Sequence, residues 1–113
     1  MAFNDLEFHA VNEEVKRFVD SIRPPAHIRN ELDIVYTITD QTIDIGQQRP
    51  VWQGKPGETH ILPSARIKYI RSLDRWKIYW MRKDMKWHLY SIELSLADAL
   101  EVFRVDPDCC FFG

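Results

Sequence analysis

A chain of 113 residues, 45% hydrophobic and 28% charged, can bury a core without staples and is too apolar to stay unfolded, so a single domain over residues 1–113 is expected. The net charge of −2 excludes a protein that coats nucleic acid through bulk charge alone. Two adjacent cysteines, Cys109 and Cys110, exclude a disulfide framework, and no apolar run is long enough to cross a membrane, so a cytoplasmic protein with no membrane partner is expected.

Asn4 followed by Glu7 reads as a capping box. Phe8, Val11, Val15, Phe18, Val19 and Ile22 then recur every three or four residues as one helical stripe, which Pro24 and Pro25 end. A short helical turn fits 26–31. Leu32 to Thr39 alternates and is rich in β-branched residues, as a strand requires. Asp40–Gln41 turns the chain into a second strand, Thr42 to Val51, in which Gly46 marks a bulge. Gln53 to His60, with Gly54, Pro56 and Gly57, reads as the longest loop. Three strands follow at 61–71, 75–83 and 85–91. Ser95 and Asp98 cap a final helix carrying Leu96, Ala99, Leu100 and Phe103. The short connections predict an α+β fold: a five-stranded antiparallel meander with both helices on one face.

Charge is concentrated in the middle. Ala65 to Tyr90 holds eight basic residues against two acids, while the rest of the chain is acidic. An even-length turn at 82–85 would place Trp80 opposite Trp87 and Tyr79 opposite His88. A four-residue connection at 72–75 would place Ile67 opposite Trp80. With alternating side chains, Ala65, Ile67, Tyr69, Trp76, Ile78, Trp80, Trp87 and Leu89 would then share the core face. Arg66, Lys68, Lys77, Tyr79, Met81, Lys86, His88 and Tyr90 would share the opposite one. Cations interleaved with flat aromatics suit phosphates and stacked bases; a solvated face of cross-strand pairs has the same composition.

Phosphate-binding glycine loops, nucleophile elbows and zinc spacings are missing from the sequence, and neither metal nor cofactor is expected. Asp84-Met85-Lys86 matches the short acid-x-lysine element of metal-dependent nucleases, with Asp44 or Asp74 as second carboxylate; a tight turn explains Asp84 as well. His88, Tyr79, Arg82 and Lys86 would together suit metal-free RNA cleavage, by moving protons and steadying phosphate charge. Arg49, in Arg49-Pro50-Val51-Trp52, reads either as a strand-end residue or as an anion contact, with Trp52 over the core. The apolar tail Cys110-Phe111-Phe112-Gly113 either docks on the domain or anchors a partner.

Taken together, Arg49-Pro50-x-Trp52, Ala65-Arg66-Ile67-x-Tyr69, the run Trp76-x-x-Tyr79-Trp80-x-Arg82-x-Asp84-x-Lys86-Trp87-His88-x-Tyr90 and the closing Cys110-Phe111-Phe112-Gly113 resemble a family of small bacterial proteins catalogued as domain of unknown function 3024. The resemblance implies a stand-alone bacterial protein of this architecture and carries no activity with it. The residues favour a non-catalytic module binding nucleic acid or another polyanion through Arg49, Arg66, Lys68, Lys77, Tyr79, Lys86, His88 and Tyr90. A protein-interaction or homodimer module and a small ribonuclease are the alternatives.

Overall fold

The computed structural model describes residues 2–51 and 53–106. Helix α1 spans Asp5–Ile22. Asn4 Oδ1 accepts from the Glu7 N–H at 2.8 Å and Glu7 Oε1 accepts from the Asn4 N–H at 3.0 Å, which closes the capping box. Val11, Val15 and Val19 are buried along one stripe, while Phe8, one turn earlier, stays exposed. Arg23 leaves the helix in extended conformation, as a residue preceding proline must. A 3₁₀ turn at Ala26–Ile28 leads into the sheet.

The sheet comprises β1 (Asp33–Thr39), β2 (Thr42–Pro50), β3 (Thr59–Ile70), β4 (Arg75–Met81) and β5 (Trp87–Glu93), and α2 (Leu96–Val105) closes the fold. Strands pair antiparallel in sequence order, so the sheet is an open meander. Both helices lie on one face. Val15, Val19, Leu100 and Phe103 meet Ile34, Ile43, Ile45, Ala65, Ile67 and Ile78 there in one core. Burying such side chains is worth about 1.5–3 kcal/mol each. Ser95 Oγ caps α2 by accepting from the Asp98 N–H at 3.1 Å. The first helix is pinned at both ends. Arg23 makes two 2.8 Å hydrogen bonds to Asp33 at the start of β1. Arg71, in the β3–β4 turn, donates to both Glu7 oxygens at 2.9 and 3.0 Å.

Two irregularities set which residues face outward. The register between β2 and β3 shifts at Ile45/Gly46, where Ser64 is the extra residue on β3. The register between β4 and β5 shifts at Ile78/Tyr79, where Tyr90 is the extra residue on β5. Gly46 thus sits at a bulge, as its sequence position suggests. The second bulge and the β4–β5 turn overturn part of the expected pairing. Met81 lies opposite Trp87, Trp80 opposite His88 and Tyr79 opposite Leu89. The reason is an odd loop. Lys83, Asp84 and Met85 form a three-residue connection with Met85 left-handed at φ 62°, closed by the Arg82 N–H donating to the Lys86 carbonyl at 3.2 Å. An odd loop moves every β5 side chain near it to the other face. Trp87 and Leu89 therefore leave the core face, and His88 joins Trp80 on the helix side. Tyr90, at the bulge, packs against the core rather than on the opposite face. The β3–β4 pairing is Ile67 with Ile78, two residues from the expected partner, which preserves the faces.

Candidate functional site

Among the described residues, no helix lies over the sheet face opposite the core. Two cross-strand rows define it. One runs Thr37, Asp44, Arg66, Tyr79 and Leu89; the next runs Thr39, Thr42, Lys68, Lys77 and Ile92. Lys68 and Lys77 stand directly opposite one another, and neither has an ion-pair partner among the described residues. Like charges so placed repel across the ladder. Tyr79 presents a half-buried ring beside them.

At the Arg66 end the face deepens into a groove of about 290 Å³. Val35, Ile61, Pro63 and Met81 supply apolar walls, and Trp87 supplies an aromatic one. The groove follows from the β3 bulge. Once Ser64 is inserted, Pro63 pairs with Gly46 and Ile61 with Gln48, which turns Pro63 and Ile61 outward. Gly46 lets the strands approach: a Cβ there would meet Ile61 Cγ2 at 2.7 Å and the Leu62 carbonyl oxygen at 2.9 Å. On the polar side, Arg66 Nε donates to Asp44 Oδ1 at 2.7 Å and Nη2 to Oδ2 at 3.2 Å. The Arg66 guanidinium also lies 4.9 Å from the Trp87 ring centroid, a cation–π distance. Both members of the ion pair remain about a third exposed, Arg66 37% and Asp44 34%.

A second cluster sits at the β4–β5 hairpin tip, on the helix side. His88 Nε2 and Asp84 Oδ2 are 2.9 Å apart, and Asp84 Oδ1 accepts from the Lys86 N–H at 3.0 Å. The His88 contact, then the Lys86 amide, hold the Asp84 carboxyl below its ordinary pKa. The Arg82 guanidinium stands 5.5 Å from the Trp80 ring. Tyr79 is on the other face, so the four groups proposed for RNA cleavage do not converge. The carboxylates of the acid-x-lysine reading are also separated. Asp44 is held by Arg66, and Asp74 accepts from the Tyr69 hydroxyl at 2.9 Å at the far end of β4. Among the described residues, no group of three or more metal-ligating side chains is assembled.

A family model described as a domain of unknown function, DUF3024, matches residues 3–113. The chain belongs to this family. No curated protein and no solved structure matches it.

Within this DUF3024 chain the expected binding residues divide. Arg66, Lys68, Lys77 and Tyr79 share the outer face; Lys86 is exposed at the hairpin tip beside it. His88 and Tyr90 lie on the helix side. Arg49 follows the helix-side alternation of β2 and donates to Gln47 Oε1 at 3.1 and 2.7 Å, away from the lysine pair. Trp52 and the Cys110–Gly113 tail lie outside the described residues. Of the groove residues, Trp87 was expected on the core face, and Asp44 was singled out only as a possible nuclease carboxylate. The parity of the 83–85 loop would have found Trp87, but Met85 gives no glycine or asparagine signal for the left-handed position. No helix of the described chain is long and apolar enough to cross a membrane.

Proposed function

We propose that the outer sheet face binds single-stranded nucleic acid, with Lys68 and Lys77 on phosphates and Tyr79 and Trp87 stacking on bases. The observation that carries this reading is the directly opposed Lys68–Lys77 pair, left without a carboxylate partner among the described residues on a face where Asp44 neutralises Arg66. A phosphate between the two ammonium groups converts their repulsion into a shared attraction. Flat rings along the same face add sequence-tolerant stacking. The net charge of −2 keeps the rest of the molecule from binding polyanions indiscriminately. The family resemblance and the lone Cys109–Cys110 pair favour a single-domain protein working in a bacterial cytoplasm.

Fluorescence anisotropy with labelled single-stranded RNA and DNA of about 10 nucleotides tests the proposal. Binding should weaken linearly in log–log salt plots, and the slope should fall by about 0.7 for each lysine removed in Lys68→Ala, Lys77→Ala and the double variant. Absence of binding at low salt, or an unchanged slope in the double variant, overturns it. Equal affinity for inorganic polyphosphate would replace the nucleic-acid reading with a general polyanion site.

A second reading is favoured by a separate observation. Leu89, Ile92 and Leu94 are 49%, 50% and 68% exposed along and just beyond edge strand β5, an apolar strip suited to a second copy of the chain. Light scattering that gives a dimer mass, returned to monomer by Leu89→Lys, would support it.

A further inference from the structure

Asp44 is the one acid in the two outer cross-strand rows, where the cations are Arg66, Lys68 and Lys77. We propose that Asp44 is a specificity-determining residue: it keeps phosphate off the Arg66 row, so that this row takes bases and the lysine row takes the backbone. The inference rests on the nucleic-acid reading above and removes Arg66 from the phosphate contacts.

Arg66 is held from two sides. Its Nε and Nη2 donate to the two Asp44 oxygens at 2.7 and 3.2 Å, and its guanidinium lies 4.9 Å from the Trp87 ring centroid. Charge-assisted, two-point bonds of this kind are roughly twice as strong as neutral ones. The pair is neutral as a whole, so a phosphate passing it releases no counterion on balance. At a site still about a third exposed, that phosphate also meets the Asp44 charge beside the Arg66 charge. A neutral base meets no such opposition. Beyond Arg66 the same row continues with Tyr79 and Leu89, both uncharged, and the tyrosine ring offers a stacking surface. The lysine row lies two residues along the strands, about 6.6 Å away, and among the described residues no carboxylate pairs with it. The face therefore has a charged lane and an uncharged lane side by side, as a single strand with its bases turned to one side requires. A ligand that is phosphate throughout can use only the first.

Oligouridine of about 10 nucleotides and inorganic polyphosphate should be titrated over a salt series against three full chains. These are the unaltered chain, Asp44→Asn, and Asp44→Asn combined with Arg66→Gln. Asp44→Asn frees Arg66 for phosphate, so the oligouridine salt slope should steepen by about 0.7. The preference for oligouridine over polyphosphate should fall in the same variant. The double variant replaces the ion pair with two neutral amides and should keep the slope of the unaltered chain. Equal slopes in all three chains, or a preference that does not fall in Asp44→Asn, overturn the role of Asp44 and leave the lysine face standing. A slope shallower by about 0.7 in the double variant places Arg66 on phosphate already and also overturns it. Binding of neither ligand by any chain overturns both readings. Urea midpoints establish that each variant is folded; if Asp44→Asn alone fails to fold, the slope of the double variant decides.

Discussion

Gly46 has room for a hydrogen and little else. Any side chain there must displace the Leu62 carbonyl as well as the flexible Ile61 methyl, and backbone does not yield cheaply. Gly46→Ala should destabilise the fold by about 1–3 kcal/mol, read as a lower midpoint in urea denaturation at constant slope. It should also narrow the groove, because the added carbon points at Ile61. The residues whose roles were legible in the sequence are those whose signal is local. Asn4 and Glu7, or Ser95 and Asp98, lie within one helical turn, so a capping bond can be inferred from spacing alone. Trp87 and His88 were not legible, because the face of a strand residue is decided several positions away, in the loop that starts the strand.

At the scale of elements, the β4–β5 connection sets that decision. Met85 occupies a left-handed position with 71% of its surface exposed, so its side chain contributes little to set against the backbone strain. Met85→Gly should stabilise the protein by up to about 1 kcal/mol, measured by thermal or urea unfolding. The helix ties respond to acid instead. Two hydrogen bonds from Arg23 hold the Asp33 carboxyl below its ordinary pKa, aided by the Ile34 N–H against some opposition from burial. A folded value below the unfolded one means that this contribution is complete above about pH 5. It is lost as the pH falls from there through the lower, folded value. The stability gap between the native chain and Arg23→Met should therefore shrink between about pH 5 and pH 2, as followed by denaturant titration at each pH. The five strands and two helices were legible because alternation and three-to-four spacing repeat over whole elements. The Tyr90 bulge was not, since tyrosine serves equally well inside a regular strand.

For the whole molecule, the proposed function and stability pull against each other at one pair. Lys77→Glu turns the Lys68 repulsion into attraction, and should raise stability by about 0.2–1 kcal/mol while abolishing oligonucleotide binding. Chemical denaturation and anisotropy on the same preparation check both halves. A variant that loses binding by losing its fold would show the opposite stability change.

The meander order has a consequence for how the chain reaches this state. Each strand pairs with its predecessor, so the sheet can be assembled hairpin by hairpin from neighbouring segments, which favours rapid folding. The helices break that locality. α1 is made before the sheet, yet its core neighbour Phe103 is fully buried and belongs to α2, which follows the sheet. Until α2 has left the ribosome, β4 and β5 lack the helix that packs on them, and Ile78 is left partly uncovered. Completion of the core thus waits on the synthesis of α2, and a chain cut before Leu96 would expose part of the apolar sheet face rather than yield a smaller working protein.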